Sequence, residues 1–207
     1  MVQNVEPMEL SEDRLVVSKG LSDLDRDVTE FIDVLEECGI SYVIVSGYVA
    51  ILTGRSRLTE DVDVIIEPLS EPETEQLVDT LKNRGYWGIA MPLDSMYEML
   101  SEGDRIRVAK DGEMIPNFEV WFADSPLERD VLADPLIAEV GNETVNISPI
   151  ERQIAYKLHL AQGADSLTGK DFEDALHLYA TFTEQLNTEE LERYIEELGV
   201  ERYYDEL

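Results

Sequence analysis

A short segment of the chain, Ser46-Gly-Tyr-Val-Ala-Ile-Leu-Thr-Gly-Arg-Ser-Arg-Leu-Thr-Glu-Asp-Val-Asp63, joins a glycine turn to two aspartates. Asp61 and Asp63 open the run Asp61-Val-Asp-Val-Ile-Ile66, whose β-branched residues are typical of a strand. Residues two apart on a strand point to the same face, so the two carboxylates should lie side by side while the valines enter the core. Adjacent carboxylates repel unless a cation lies between them, and oxygen ligands suit a hard divalent ion such as Mg²⁺.

The turn before this strand favours a phosphate ligand. Residues 41–46 form a short run of β-formers, and the apolar run 48–52 that follows Gly47 indicates a short helix. Gly47 lets the backbone approach a ligand closely, and Ser46 adds a hydroxyl beside the free N–H groups of the helix start. In a chain this rich in acid, an isolated Asp-x-Asp can also be a solvated outer face of a strand, so both interpretations of the pair stay open.

These residues together resemble the nucleotidyltransferase superfamily with the DNA polymerase β-type fold, in its minimal form. The matching positions of the family pattern are Gly47, Ala50, Gly54, Arg57, Thr59, Asp61 and Asp63, and Ser46 stands where a first glycine is usual. The resemblance implies a nucleoside triphosphate substrate, Mg²⁺ or Mn²⁺ as cofactor, and a third acidic residue on a neighbouring strand. Glu119, a lone charge within the apolar run 117–122, is the candidate; its alternative is an edge-strand carboxylate that faces solvent.

A second resemblance lies in the C-terminal part. Residues 148–158 and 169–176 are similar to the tail of toxin-type nucleotidyltransferases related to abortive-infection systems, which carry a lysine on one helix and Lys-Asp-x-x-Asp on the next. Lys157 shares the apolar stripe of its helix with Ile150 and Ile154, so it should have an anionic partner, either a triphosphate or Asp174. The alternative for residues 170–174 is an ordinary helix start, with acids in the first turn and a lysine–aspartate pair four residues apart.

The predicted site follows from these resemblances. Its catalytic residues are Asp61, Asp63, Glu119 and Lys157, with the three carboxylates as the metal ligands. Its nucleotide-binding residues are Ser46, Gly47, Arg55, Arg57, Thr59, Lys170 and Asp174. A polyanionic substrate needs the basic residues of both sets close to one place.

The predicted activity is transfer of a nucleoside monophosphate from a triphosphate to an acceptor hydroxyl of a tRNA, a protein or a small molecule. The second resemblance implies that the protein could be the toxin of a toxin–antitoxin pair, with an antitoxin protein as partner. An alternative is a nucleotidyltransferase-fold module that binds nucleotide or protein without turnover. A third is a fortuitous match in an acidic α/β binding domain.

Composition bounds these interpretations. The chain has 207 residues, 46 of them acidic and 16 basic, for a formal net charge of −30, yet 43% of it is apolar, which argues against a disordered acidic tail. A charge of this sign disfavours duplex DNA as partner, and its even spread suits a protein of multimolar salt. The lone Cys38, the absence of a signal-like start and the absence of a long apolar run predict a cytoplasmic protein with no membrane span.

Periodicity predicts an α/β (α+β) protein of polymerase β-like nucleotidyltransferase fold, with a mixed sheet flanked by helices and a helical C-terminal part. We expect a loose arm over 1–20, an α/β domain over 21–147 and a helical subdomain over 148–207. Helices are expected near 21–37, 71–84, 91–103, 126–133, 149–161, 169–183 and 188–198. The segments 105–109 and 117–122, and likewise 136–140 and 144–147, should pair as hairpins.

Overall fold

The computed structural model describes residues 8–207. Within that range the strands belong to one mixed sheet: β1 Met8–Leu10, β2 Arg14–Val17, β3 Tyr42–Val45, β4 Asp61–Ile66, β5 Tyr86–Ile89, β6 Ile106–Lys110, β7 Asn117–Phe122, β8 Leu136–Val140 and β9 Glu143–Ile147. The helices are α1 Asp23–Glu37, α2 Gly47–Leu52, α3 Glu71–Asn83, α4 Met96–Ser101, α5 Pro126–Ala133, α6 Ile150–Gly163, α7 Lys170–Phe182, α8 Thr188–Leu198 and α9 Glu201–Tyr204. The predicted mixed α/β fold class is confirmed.

The order of strands in the sheet is β1-β2-β8-β9-β3-β4-β7-β6-β5. Strand β4 lies in the interior of the sheet, antiparallel to β3 and parallel to β7. Strands β6 and β7, and likewise β8 and β9, form the two expected antiparallel pairs. Because β4 and β7 run in the same direction and in register, side chains at matching positions of the two strands lie next to each other. This register positions the candidate site.

The N-terminal segment differs from the expected loose arm. Residues 8–17 form the outer strands β1 and β2, and β2 pairs in parallel with β8. Leu15 and Val17 are buried, so the short apolar patch of this segment extends the core. Burying such side chains stabilises the fold by roughly 1.5–3 kcal/mol each, which favours the attachment of this short strand to the sheet. The rest of the predicted arm, residues 1–7, lies outside the described part of the chain.

Helices cover the sheet and close the C-terminal end. Helix α1 begins at a capping box in which Ser22 and Asp25 bond each other's backbone N–H, and it buries Phe31 against Phe118 of β7. Helix α6 packs against α7 and α8 and is buried over most of its length, including Lys157. No helix among residues 8–207 is long and apolar enough to cross a membrane. The predicted division at residues 147 and 148 stays a prediction.

Candidate active site

Strand β4 presents Asp61 and Asp63 on one face, as its alternating pattern predicts. Both aspartates are partly exposed, whereas Val62, which lies between them in sequence, and Val64, which follows Asp63, are fully buried. Asp63 lies directly opposite Glu119 in the parallel β4–β7 register. The structure therefore brings the three predicted carboxylates to neighbouring positions of two central strands.

Glu119 is engaged by two arginines. Arg105 Nη1 lies 2.8 Å from its Oε2, and Arg107 Nε lies 3.1 Å from its Oε1. Burial alone would raise the pKa of Glu119, but hydrogen bonds from Arg105 and Arg107 outweigh burial and hold the pKa below its ordinary value. Both oxygens of this carboxylate are thus committed to arginine in the structure.

Asp63 is less well compensated. Arg105 Nη1 is 3.8 Å from its Oδ1, which is an ion-pair distance but not a hydrogen bond. Burial is the largest cause that raises the pKa of Asp63 to about 6, and repulsion from Asp61 and Glu119 adds to it. The Ser46 hydroxyl and Arg105 oppose this shift without cancelling it. An additional cation beside Asp63 would relieve this stored repulsion.

The turn before α2 has an unusual backbone. Ser46 has φ 64° and ψ −126°, a conformation that glycine adopts more readily than other residues. The Ser46 N–H donates to Gln153 Oε1 at 3.1 Å, and Gln153 Nε2 donates to the Ser46 carbonyl at 2.9 Å. One buried amide from α6 therefore holds both sides of the turn, and the Ser46 N–H is not free for a phosphate as the turn is folded.

Gly47 lies against the Arg57 side chain, whose flexible end would have to shift if this residue carried a Cβ. A Cβ at this position would collide with Nη2 of Arg57, whose guanidinium lies against the turn. Thr59, at the end of the same loop, donates from Oγ1 to the Asp61 carbonyl at 2.8 Å and to its Oδ1 at 3.3 Å. The loop between α2 and β4 thus places a cation on the turn and orients the first aspartate.

Lys157 is buried and bound by two acids of α7. Its Nζ lies 2.7 Å from Asp171 Oδ1 and 3.2 Å from Asp174 Oδ2. Asp174, with none of its side chain exposed, also lies 2.7 Å from Arg55 Nε and 3.2 Å from Arg57 Nη2. The expectation that Lys157 has an anionic partner is confirmed, and the partners belong to the protein.

A cleft of about 250 Å³ opens over the β4 aspartates. Seven predicted site residues line it, namely Ser46, Gly47, Arg57, Asp61, Asp63, Lys157 and Lys170. Three others contact this lining from behind. Thr59 donates a hydrogen bond to Asp61, Glu119 accepts one from Arg105, and Asp174 forms ion pairs with Arg57 and Lys157. Arg55 reaches the cleft through Asp174 alone and also pairs with Glu173.

The predicted site residues do not include six that line the cleft or bond to its residues: Arg105, Arg107, Trp121, Gln153, Tyr156 and Asp171. Arg105, Trp121 and Tyr156 line the cleft, and the Arg105 guanidinium lies 3.9 Å from the centre of the Trp121 ring. The hairpin pattern held a signal for Arg107, which pairs directly with Glu119 once β6 and β7 are aligned. Gln153 and Tyr156 come from a helix more than 80 residues away and gave no local signal.

The arrangement of the carboxylates bears on the predicted metal site. Within residues 8–207 no group of three or more His, Cys, Asp or Glu side chains is arranged to hold a metal ion. At β4, both oxygens of Glu119 accept hydrogen bonds from arginine. Asp61 and Asp63 fit a divalent cation, since they supply oxygen ligands and carry repulsion that a cation would relieve. The three-carboxylate metal site stays a prediction.

No protein-family model and no curated protein sequence matches this chain. Among solved structures, an antigenic nucleotidyltransferase-like protein from Paracoccidioides brasiliensis matches with a TM-score of 0.56 at 16% identity, over 87% of this chain and 89% of that one. The antibiotic-resistance factor ANT(2″)-Ia, in complex with adenylyl-2″-tobramycin, matches with a TM-score of 0.53 at 12% identity, over 85% of this chain and 96% of that one. The likeness establishes a nucleotidyltransferase fold for this chain.

Proposed function

We propose that this protein is a metal-dependent nucleotidyltransferase that moves a nucleoside monophosphate from a triphosphate to an acceptor hydroxyl. The observation that carries the proposal is the β4–β7 register, which sets Asp63 beside Glu119. The cleft over these strands also holds the Ser46–Gly47 turn and the basic residues Lys157 and Lys170. The cleft thus combines carboxylates that can bind a metal ion with basic side chains that can bind phosphate. This local positive charge matters because the net negative charge of the protein would otherwise repel a nucleotide.

The proposed cofactor is Mg²⁺ or Mn²⁺ at Asp61 and Asp63. When bound, such an ion stabilises the charge that develops on the attacking and leaving oxygens. Thr59 keeps the Asp61 carboxylate in place, and the Ser46 hydroxyl does the same for Asp63. Glu119 can ligate or act as base only when Arg105 and Arg107 release it.

The basic residues of the cleft hold the triphosphate in this proposal. Lys170 and Arg57 face the cleft, while Lys157 lies at its floor between Asp171 and Asp174. The acceptor oxygen forms a bond to the α-phosphorus, the bond from that phosphorus to the pyrophosphate oxygen breaks, and the acceptor proton passes to a base, for which Glu119 is the candidate. Arg105 lies within ion-pair distance of both Glu119 and Asp63. Its guanidinium can therefore pair with either carboxylate as their charges change during the reaction.

The acceptor in this proposal is a hydroxyl of a small molecule, a tRNA or a protein. A small molecule has support from the neighbour solved with adenylyl-2″-tobramycin. The toxin-type assignment, with an antitoxin as partner, has support from the convergence of Lys157, Asp171 and Asp174, which are the residues of the second sequence resemblance. A cytoplasmic location in multimolar salt belongs to the same proposal.

A second function is favoured by one observation, the double arginine clamp on Glu119. If the clamp never opens, the cleft binds nucleotide without transferring it. The two functions differ in whether label leaves the triphosphate.

The test incubates the full chain in multimolar KCl with Mg²⁺ and each α-labelled nucleoside triphosphate. Cell RNA, cell protein and a panel of polyhydroxylated small molecules are supplied separately as acceptors. Label transfer to one acceptor fraction is expected, with loss in Asp61→Asn/Asp63→Asn by roughly 10³-fold or more, since a metal supplies several kcal/mol of transition-state stabilisation. The matched control is Asp33→Asn/Asp79→Asn, which removes two exposed carboxylates from α1 and α3.

Each outcome bears on the proposal. Transfer that survives the β4 double substitution would overturn the mechanism. Nucleotide binding without transfer to any acceptor class would support the binding module in its place. Failure of the control variant to retain activity would show that surface charge, not the β4 pair, carries the effect.

A further inference from the structure

A second cavity, of about 840 Å³, lies elsewhere in the molecule. It is bordered by the β1–β2 turn, the connection from α5 to β8, the start of α6, and the α7–α8 turn with α8. It shares no lining residue with the cleft over Asp61 and Asp63. The Leu10 N–H donates to Gln185 Oε1 at 3.3 Å across its rim, so the edge strand and the C-terminal helices close it together.

Arg152 is the group that distinguishes this cavity. Its side chain is only 6% exposed, and its Nε–H is buried without a hydrogen-bond partner within residues 8–207. Its ion-pair contact with Asp130 spans 3.8 Å and involves a carboxylate that is itself mostly exposed. A buried guanidinium normally has close, geometrically matched acceptors, because leaving a charge unpaired in the interior is costly.

The guanidinium lies over an aromatic ring in the wall of the cavity. The Cζ of Arg152 lies 4.8 Å from the centre of the Tyr194 ring, and that of Arg193 lies 4.4 Å from the same ring. The Tyr194 hydroxyl is turned to Glu190, to which it donates at 2.9 Å. A guanidinium that stacks on an aromatic ring keeps its fork of N–H donors for a carboxylate or phosphate in its own plane.

The rest of the wall decides between those two anions. Five carboxylates line the cavity beside the two arginines: Glu12, Asp130, Asp134, Glu151 and Glu190. Polyphosphates and other polyanions would be repelled by this set. A ligand with one carboxylate for Arg152 and one ammonium group for the surrounding acids matches both signs of charge. Apolar side chains in the lining, such as Leu186, can contact an aliphatic or aromatic group of the same ligand.

We propose that this cavity is a binding site for a free α-amino acid, whose carboxylate pairs with Arg152 and whose ammonium group is held by the acidic wall. The site is separate from the proposed catalytic cleft, and its occupancy does not require nucleotidyl transfer.

The probes are the twenty standard L-amino acids, added singly at millimolar concentration to the full chain in buffered KCl without nucleotide. Binding is measured by calorimetry and by the shift in melting temperature. For L-leucine the matched probes are 3-methylbutylamine, which lacks the carboxylate, and 4-methylpentanoate, which lacks the amine. At least one amino acid is expected to bind and to raise the melting temperature, and its single-charge analogues should bind at least about tenfold more weakly.

The variant is Arg152→Met, which keeps the volume and removes the charge. Because the buried guanidinium lacks close partners, this variant should fold with an unchanged or higher melting temperature and lose amino-acid binding. The control is Arg202→Met, since Arg202 also lies over a tyrosine, Tyr203, but is exposed and away from the cavity. Two results would overturn the proposal: no amino acid binds, or binding persists in Arg152→Met.

A structural role for Arg152 makes the opposite prediction. In that case the melting temperature of Arg152→Met is several degrees below that of the unmodified protein, and added amino acids change neither melting temperature. The comparison of melting temperatures without ligand therefore keeps the two explanations apart even where the variant is less stable.

Discussion

Asp63, which is partly exposed, and Asp174, which is fully buried, are two aspartates of the same cleft region whose surroundings are opposite in charge. Asp174 has no exposed side-chain surface and faces three cations, Arg55, Arg57 and Lys157. Asp63 is 17% exposed, and its neighbours include two further carboxylates with one distant guanidinium. Asp174 is therefore stabilised by the fold, whereas Asp63 is held in place against electrostatic repulsion.

This contrast separates two uses of acid in a chain with 46 acidic residues. A carboxylate surrounded by protein cations joins elements of the fold, here α7 to α6 and to the loop before β4. A carboxylate kept beside other carboxylates is available to a cation from outside. Charge compensation, more than burial or motif, thus distinguishes structural from functional acids, and four predictions test it.

The largest expected effect is on stability and comes from Asp174→Asn. The substitution keeps the shape but leaves three cations without their shared anion, so the free energy of unfolding should fall by about 3–5 kcal/mol. Urea unfolding at fixed salt measures it. The control on the same helix is Glu173→Gln, which removes a partner of Arg55 that is 52% exposed and should cost less than about 1 kcal/mol. Equal losses in the two variants would contradict the comparison.

Asp63→Asn should act in the opposite direction. The pKa of Asp63 is raised to about 6 in the folded protein, so the protonated group contributes stability below about pH 4 that is lost as the pH rises through about 6. Without divalent metal, the variant should therefore be more stable than the unmodified protein by roughly 2–3 kcal/mol above pH 7. Urea unfolding from pH 4 to 8 with chelator measures the difference, which should vanish toward pH 4. A difference that does not change with pH would refute this explanation.

Arg105→Gln tests the cation that lies between Asp63 and Glu119. Removing a positive charge 3.8 Å from Asp63 should strengthen Mg²⁺ binding by about tenfold, because an effective dielectric constant near 20 makes a charge at that distance worth a few kcal/mol before screening. Calorimetric titration at constant ionic strength measures the affinity. Arg107→Gln is the control, since Arg107 bonds Glu119 from a more exposed position and should change the affinity less. Unchanged or weaker binding in Arg105→Gln would show that the guanidinium does not compete with the metal.

Ser46→Gly should have the smallest effect. Relief of the strained backbone at φ 64° is worth about 1–3 kcal/mol, and the added freedom of glycine in the unfolded chain removes about 0.5–1 kcal/mol of that gain. The lost hydroxyl contact with Asp63 reduces it further, so a gain of no more than about 1 kcal/mol is expected by urea unfolding. Ser41→Gly, at an exposed position without positive φ, should be neutral or destabilising. A loss of stability in Ser46→Gly would mean that the hydroxyl outweighs the strain.

Local patterns predicted the parts of the fold that depend on neighbours in the sequence. The alternation of aspartate and valine predicted the two faces of β4. The glycine followed by an apolar run predicted the turn at Ser46 and the short helix that ends at Leu52. The hairpin of β6 and β7 was predictable for the same reason, and with its register came the pairing of Arg107 with Glu119. Short-range patterns are sufficient for such features because the two faces of a strand, a short helix and a hairpin are specified by neighbouring residues.

The rest of the site depends on contacts between distant segments. The parallel pairing of β2 with β8 joins residues more than 120 positions apart and turned an expected arm into sheet. The partners of Asp174 come from α6 and from the loop before β4, and no local spacing indicates that three cations share one carboxylate. Such contacts are selected by tertiary packing, which a single sequence does not display.

The Gln153 amide has a practical consequence for anyone who wishes to divide the chain. Its two hydrogen bonds to the Ser46 backbone attach the first turn of α6 to the Ser46–Gly47 turn at the edge of the cleft. A fragment that stops at residue 147 would keep every strand of the sheet but would release this peptide from its only side-chain support among the described residues. The helical C-terminal part therefore helps to shape the cleft, and a fragment meant to keep the cleft intact should extend at least through α6.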